Sequence, residues 1–114
     1  MLKKTADVRF TKSNGELTAF VSGEIDHHGA REVRNAIDCE VTDTMPENLV
    51  LDLSNVNFMD SSGLGLILGR YNNALKLGIG FSVKDPSPSV ERIISAAGAE
   101  RIIKISKQKT QERM

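Results

Sequence analysis

Leu49-Val50-Leu51-Asp52-Leu53, followed by Met59-Asp60-Ser61-Ser62-Gly63 and then Leu64-Gly65-Leu66-Ile67-Leu68-Gly69-Arg70-Tyr71, is the stretch that decides the fold. The first run is short and densely apolar, which suits a central strand covered on both faces. Past the polar block the period changes. Leu64, Ile67, Leu68, Tyr71 and Leu75 recur at the spacing of one buried helix face, and Gly78 stands where a left-handed C′ residue would end that helix. A strand feeding a helix through a polar loop is the repeating unit of an α/β sheet, and its crossover is right-handed.

Downstream, Ile79 to Val83 reads as a further strand and Ser87-Pro88 as a helix start with proline at its first position. Val90, Ile93, Ile94 and Ala97 give that helix an apolar face, Gly98 marks its end, and Ile102, Ile103 and Ile105 form a last strand. Upstream, Ala30, Val33, Ala36 or Ile37, and Val41 lie on one face of a helix beginning near Asp26-His27-His28. Asp26 is its expected N-cap, and Pro46 and Asn48 punctuate the loop that follows. Before it, residues 7–12 and 17–22 alternate around Ser13-Asn14-Gly15-Glu16, the signature of a two-residue hairpin. The order is a hairpin, then α-β-α-β-α-β. This predicts one α/β domain over residues 1–114, with a mixed, mostly parallel sheet, an antiparallel N-terminal edge strand and helices packed against it. The polar tail, 106–114, reads as frayed or disordered.

The chain has 114 residues, enough for one core and too few for two ordinary domains. Fifteen Lys plus Arg balance fifteen Asp plus Glu, so no broad field attracts nucleic acid, and no direct nucleic-acid partner is expected. No window approaches the roughly 18 apolar residues of a membrane span. Met1-Leu2-Lys3-Lys4 has no apolar stretch behind it, so it does not read as a signal peptide, and a cytoplasmic protein is expected. Cys39, the single cysteine, has no internal disulfide partner and reads as a small core or boundary residue.

Asp60-Ser61-Ser62-Gly63 falls at the carboxyl end of the central strand, where ligands and partners meet open α/β sheets. The plainest role for one serine is to cap the following helix, while Gly63 relieves crowding in the first turn. A hydroxyl at an exposed helix start is also a possible phosphoacceptor. Phosphate would bring about −1.5 to −2 charges to the positive helix end, partly opposed by Asp60. Enzymatic readings fail on detail. A nucleophile elbow needs glycine two residues before the serine, where Met59 and Asp60 stand. Gly63, Gly65 and Gly69 miss the dinucleotide fingerprint by one residue, and there is no Walker lysine motif. His27 and His28 are adjacent rather than four apart, so no metal site is expected. A triad of Asp26, His27 or His28, and Ser61 lacks an oxyanion motif. Asp85-Pro86-Ser87-Pro88 carries no chemistry. Residue reading alone leaves Ser61 and Ser62 equivalent.

Gly23-Glu24-Ile25-Asp26-His27-His28 and Phe58-Met59-Asp60-Ser61-Ser62-Gly63-Leu64-Gly65, running on through Ile67-Leu68-Gly69-Arg70-Tyr71, resemble the anti-sigma-factor antagonist family, the STAS domain, in its sporulation sigma-F branch. The likeness spans nearly the whole chain in element order and is weakest over Cys39 to Asn48 and the tail. It implies a non-enzymatic partner switch. In that family an anti-sigma-factor serine kinase phosphorylates the serine directly after the aspartate, here Ser61, using its own ATP and magnesium. The unphosphorylated antagonist binds the kinase and releases the sigma factor, and a metal-dependent serine phosphatase restores it. Asp26, His27, Asp60, Ser61, Ser62 and Gly63 would form the docking face, with Ser62 as the capping neighbour and no cofactor on the chain itself. The nearest alternative is a STAS module of another switching pathway, such as the general-stress type. A small serine hydrolase or nucleotide-binding protein is the more distant one.

Overall fold

Asn14 and Gly15 turn the chain with φ of 52° and 79°, the left-handed pair that matches the twist of a tight hairpin. The computed structural model, which describes residues 6–107, places this turn between β1 (Ala6–Ser13) and β2 (Glu16–Ile25). Then follow α1 (His27–Thr44), β3 (Asn48–Met59), α2 (Ser61–Leu77), β4 (Gly80–Lys84), α3 (Pro88–Ala96), a 3₁₀ turn (Ala99–Arg101) and β5 (Lys104–Ser106). The five strands lie in the order β1-β2-β3-β4-β5. β1 pairs antiparallel with β2, and the remaining pairs are parallel. The mixed, mostly parallel sheet with an antiparallel edge is the one expected.

The register sorts the strands' side chains into two faces. Phe10, Ala19, Leu51, Val83 and Ile105 form one row across the sheet. With the buried sides of all three helices, among them Ile37, Ile67 and Ile94, this row builds a single core. The opposite face carries Thr11, Thr18, Val50, Ser82 and Lys104 in one row and Arg9, Phe20, Asp52, Lys84 and Ser106 in the next. That face is polar, so the dense run in β3 lacks the two-sided helical cover its composition suggested. Val50 and Asp52 are nonetheless only 8% and 6% exposed. β3 has two strands on either side, and neighbouring side chains shield it. Asp52 Oδ1 accepts hydrogen bonds from the amide and hydroxyl of Ser54 at 3.0 and 2.6 Å, which makes its burial tolerable.

α1 buries Ala30, Val33, Ile37 and Val41, the expected stripe, while Cys39 is exposed rather than at the core. α2 is rotated from the expected face. It buries Gly63, Leu66, Ile67, Arg70 and Ala74, whereas Leu64, Leu68 and Tyr71 are partly buried and Leu75 is 64% exposed. The cause is a second neighbour. α2 packs against α1 as well as the sheet, so its covered arc turns toward α1 and takes in an arginine. α3 starts with Pro88 as expected, but Ser87 does not cap it. Its hydroxyl instead donates to the Val56 carbonyl at 3.3 Å, tying the loop to β3. Ile102 is exposed and precedes β5, which is shorter than the isoleucine pattern suggested. Of the tail, Ser106 closes β5 and Lys107 pairs with Glu91, while residues 108–114 lie outside the described residues.

Candidate functional site

β2 and β3 run parallel and end together. Ile25 stands opposite Met59, and the Asp60 amide donates to the Ile25 carbonyl at 3.4 Å. The next residue on each strand is an aspartate in extended conformation, and each caps a helix. Asp26 Oδ1 accepts from the Gly29 amide at 2.8 Å, and Asp60 Oδ1 accepts from the Ser62 amide at 2.8 Å. Two helix N-termini are thus set side by side at one edge of the sheet, their dipoles pointing the same way. His27 is the first residue of α1 and Ser61 the first of α2, and both are exposed.

The cap of α2 is therefore Asp60 and neither serine, which corrects the expectation for Ser62. Asp60 wins because its backbone, at φ −105° and ψ −163°, holds the carboxylate over the amide two residues on. Ser62 contributes that amide and is half-buried. Ser61 is left with its hydroxyl free of any hydrogen bond among the described residues. Gly63 is required by a close approach. A Cβ there would lie 2.0 Å from Met59 Cγ and 2.7 Å from Sδ. The six residues singled out in the sequence, Asp26, His27, Asp60, Ser61, Ser62 and Gly63, converge on this edge. His28 turns away, its Nε2 3.4 Å from Glu32 Oε2 on the exposed side of α1.

Two features flank the edge that sequence reading missed. On one side Phe58 is half exposed and, with Met59, Ile93 and Ala96, lines a shallow apolar groove of about 390 Å³. On the other side residues of α1 and α2 line a larger groove, about 660 Å³, among them His27, Arg31, Arg34, Ser62 and Arg70. Arg70 Nε lies 3.0 Å from Asp38 Oδ1, but its N–H is not aimed at the oxygen, so the contact is coulombic and not a hydrogen bond. Burial pushes the Arg70 guanidinium below its usual value, Asp38 opposes that shift, and Arg34 adds to it. Nothing local in the chain marks Arg70 as buried. Its only sequence signal is its position between Ile67 and Ala74 on the covered arc.

The chain belongs to the STAS-domain family, whose profile matches residues 7–111. Within the family the chain is similar to anti-sigma factor antagonists. It is 42% identical to the anti-sigma F factor antagonist of Paenibacillus polymyxa over 91 residues, covering 80% of this chain and 78% of that one. An anti-sigma factor antagonist from Mycobacterium paratuberculosis superposes with a TM-score of 0.80 at 32% identity, over 89% of this chain and 85% of its own. The unphosphorylated anti-sigma factor antagonist SpoIIAA superposes with a TM-score of 0.77 at 22% identity, over 90% and 89%, and shows the same fold. No helix among the described residues is long and apolar enough to cross a membrane.

Proposed function

We propose that this chain is an anti-sigma factor antagonist that docks on an anti-sigma-factor serine kinase through the paired helix N-termini, and that phosphorylation of Ser61 switches the docking off. The observation that carries the reading is the position of Ser61. It is exposed, first in its helix, free of hydrogen bonds among the described residues, and set beside a second exposed helix start at His27. A kinase reaches such a hydroxyl without unfolding anything. The carboxylates of Asp26 and Asp60 each commit one oxygen to a cap, leaving the other to receive a partner's arginine. Phe58 adds apolar area to the same surface. The kinase brings ATP and magnesium, a serine phosphatase resets the switch, and the exchange takes place in the cytoplasm. The chain's own part is binding rather than catalysis.

Intact mass after incubation with ATP-magnesium and the cognate kinase tests this directly. Wild type should gain one phosphate and Ser61→Ala none, while Ser61→Ala still binds the kinase and Ser61→Asp does not. A phosphate that persists stoichiometrically on Ser61→Ala refutes the residue assignment. Absence of both phosphate and binding with an active kinase refutes the partner.

A further inference from the structure

β1 ends the sheet beyond β2, and no further strand stands outside it among the described residues. Ser13 and Glu16 flank the two-residue turn, so they exchange the first ladder bonds of the hairpin, and the pairing alternates from there. Arg9 and Asp7 therefore spend their backbone groups on β2, while Ala6, Val8 and Phe10 hold theirs outward. Such an edge is a template for another strand unless proline or charge blunts it. β1 has no proline, and its charges are of both signs, with Asp7 and Arg9 on either side of Val8. These two side chains are exposed on the open sheet face. On the core face, under α1, Val8 and Phe10 remain only partly buried, since no strand stands beyond them at the rim.

From these observations we infer that β1 pairs with β1 of a second copy of this chain, antiparallel about a two-fold axis through Val8. In that register Val8 exchanges its outward backbone bonds with the partner's Val8, and Phe10 lies opposite the partner's Ala6, which covers the apolar rim. Asp7 then faces the partner's Arg9, and by symmetry the ion pair forms twice. It falls at a non-hydrogen-bonded position, where Cα atoms approach to about 4.5 Å and side chains meet. A carboxylate accepts several donors, so the pair does not require Asp7 to be without other contacts. The other registers fail on side chains. Centring on Asp7 or on Arg9 opposes like charges, and centring on Phe10 sets Val8 against the partner's Lys12. An extended segment of another protein would use the same backbone groups, but the symmetric charge pattern selects a second copy. The contact is short, so the dimer is weak and forms at high concentration. The proposal does not depend on the kinase reading.

Sedimentation equilibrium of the full chain at low salt tests the pairing, with reductant present because Cys39 is exposed. The average mass should rise from monomer toward dimer over concentrations on the order of 0.1–1 mM. Arg9→Asp alone, or Asp7→Arg alone, places like charges opposite each other twice and should weaken association about tenfold. An equimolar mixture of the two variants restores both ion pairs in the heterodimer, so it should associate about as well as wild type. That rescue also shows that neither variant has simply lost its fold. Val8→Pro removes an outward donor while sparing the β1–β2 ladder, and should abolish the dimer. A chain that stays monomeric throughout this range overturns the proposal. So does a dimer indifferent to Val8→Pro or to both charge reversals, or a mixture that associates no better than its components.

Discussion

Three glycines in α2 should respond to alanine with different signs, although they share one helix and lie within seven residues. At Gly63 an ideal Cβ falls 2.0 Å from Met59 Cγ, 2.7 Å from Sδ and 3.3 Å from Cβ. Carbon atoms rest about 3.5–4.0 Å apart, so the offending atom must move by roughly 1.5 Å. That atom is near the Met59 backbone, not at the loose end of the side chain, and Met59 is 2% exposed. Relief therefore means a new rotamer in a filled core or a shift of α2, at about 1–3 kcal/mol. Alanine's helix propensity returns about 1 kcal/mol. Gly63→Ala should thus lie between neutral and about 2 kcal/mol destabilising. At Gly65 and Gly69 nothing lies within 4 Å, so only the propensity gain of about 1 kcal/mol remains. The difference between Gly63→Ala and Gly65→Ala cancels propensity and isolates the collision, about 1–3 kcal/mol. Urea unfolding followed by far-UV circular dichroism reads this from the midpoints, provided the slopes agree. In a Met59→Ala background the penalty at Gly63 should shrink to what the remaining 3.3 Å approach to the residue 59 Cβ costs. Equal stability of Gly63→Ala and Gly65→Ala would refute the close-approach argument.

Asp26→Ala and Asp60→Ala should each cost about 0.5–2 kcal/mol through a lost cap, while Ser62→Ala stays within about 0.5 kcal/mol. Thermal unfolding of the three distinguishes an aspartate cap from a serine cap. Asp38→Asn should destabilise more than Arg70→Met in the same assay. The first strands a buried cation and the second removes the charge altogether. Because the Asp38 side chain is 38% exposed, the cost of Asp38→Asn falls to about 1–2 kcal/mol.

Elements governed by local chemistry were legible in the sequence, and those governed by neighbours were not. The hairpin follows from Asn14-Gly15 alone, and the N-cap of α1 from Asp26. The full extent of β3 does not. Ser54, Asn55 and Asn57 look like a strand's end, but the opposite sheet face is polar, so β3 continues to Met59. The rotation of α2 depends on α1, which no period within residues 61–77 encodes. The site divides in the same way. Its edge comes from two contiguous blocks, Asp26-His27 and Asp60-Ser61-Ser62-Gly63, and was visible in them. The cap could not be chosen because three neighbouring residues were all good caps, and backbone angles decided among them. The arginine groove is assembled across two helices, so its members read individually as ordinary surface charge.

The placement of Ser61 also constrains how a phosphate there would act. At the first position of α2 a dianion gains from the helix dipole, about 0.3–1 kcal/mol at an exposed site, and Asp60, one residue before it, takes part of that back. The net effect on the fold is therefore well below what a switch requires. Moving occupancy from 99:1 to 1:99 takes about 5.5 kcal/mol. The remainder has to arise in the complex, where a dianion would be desolvated against whatever the unmodified hydroxyl was touching. An antagonist built this way needs no second conformation. Its sheet edge and both capped helices stay in place, and the phosphorylated chain should unfold within about 1 kcal/mol of the unmodified one while its kinase affinity falls by orders of magnitude. Denaturation midpoints for the two forms, measured beside binding, test that separation. A large stability change on phosphorylation would mean that the switch works through the fold instead.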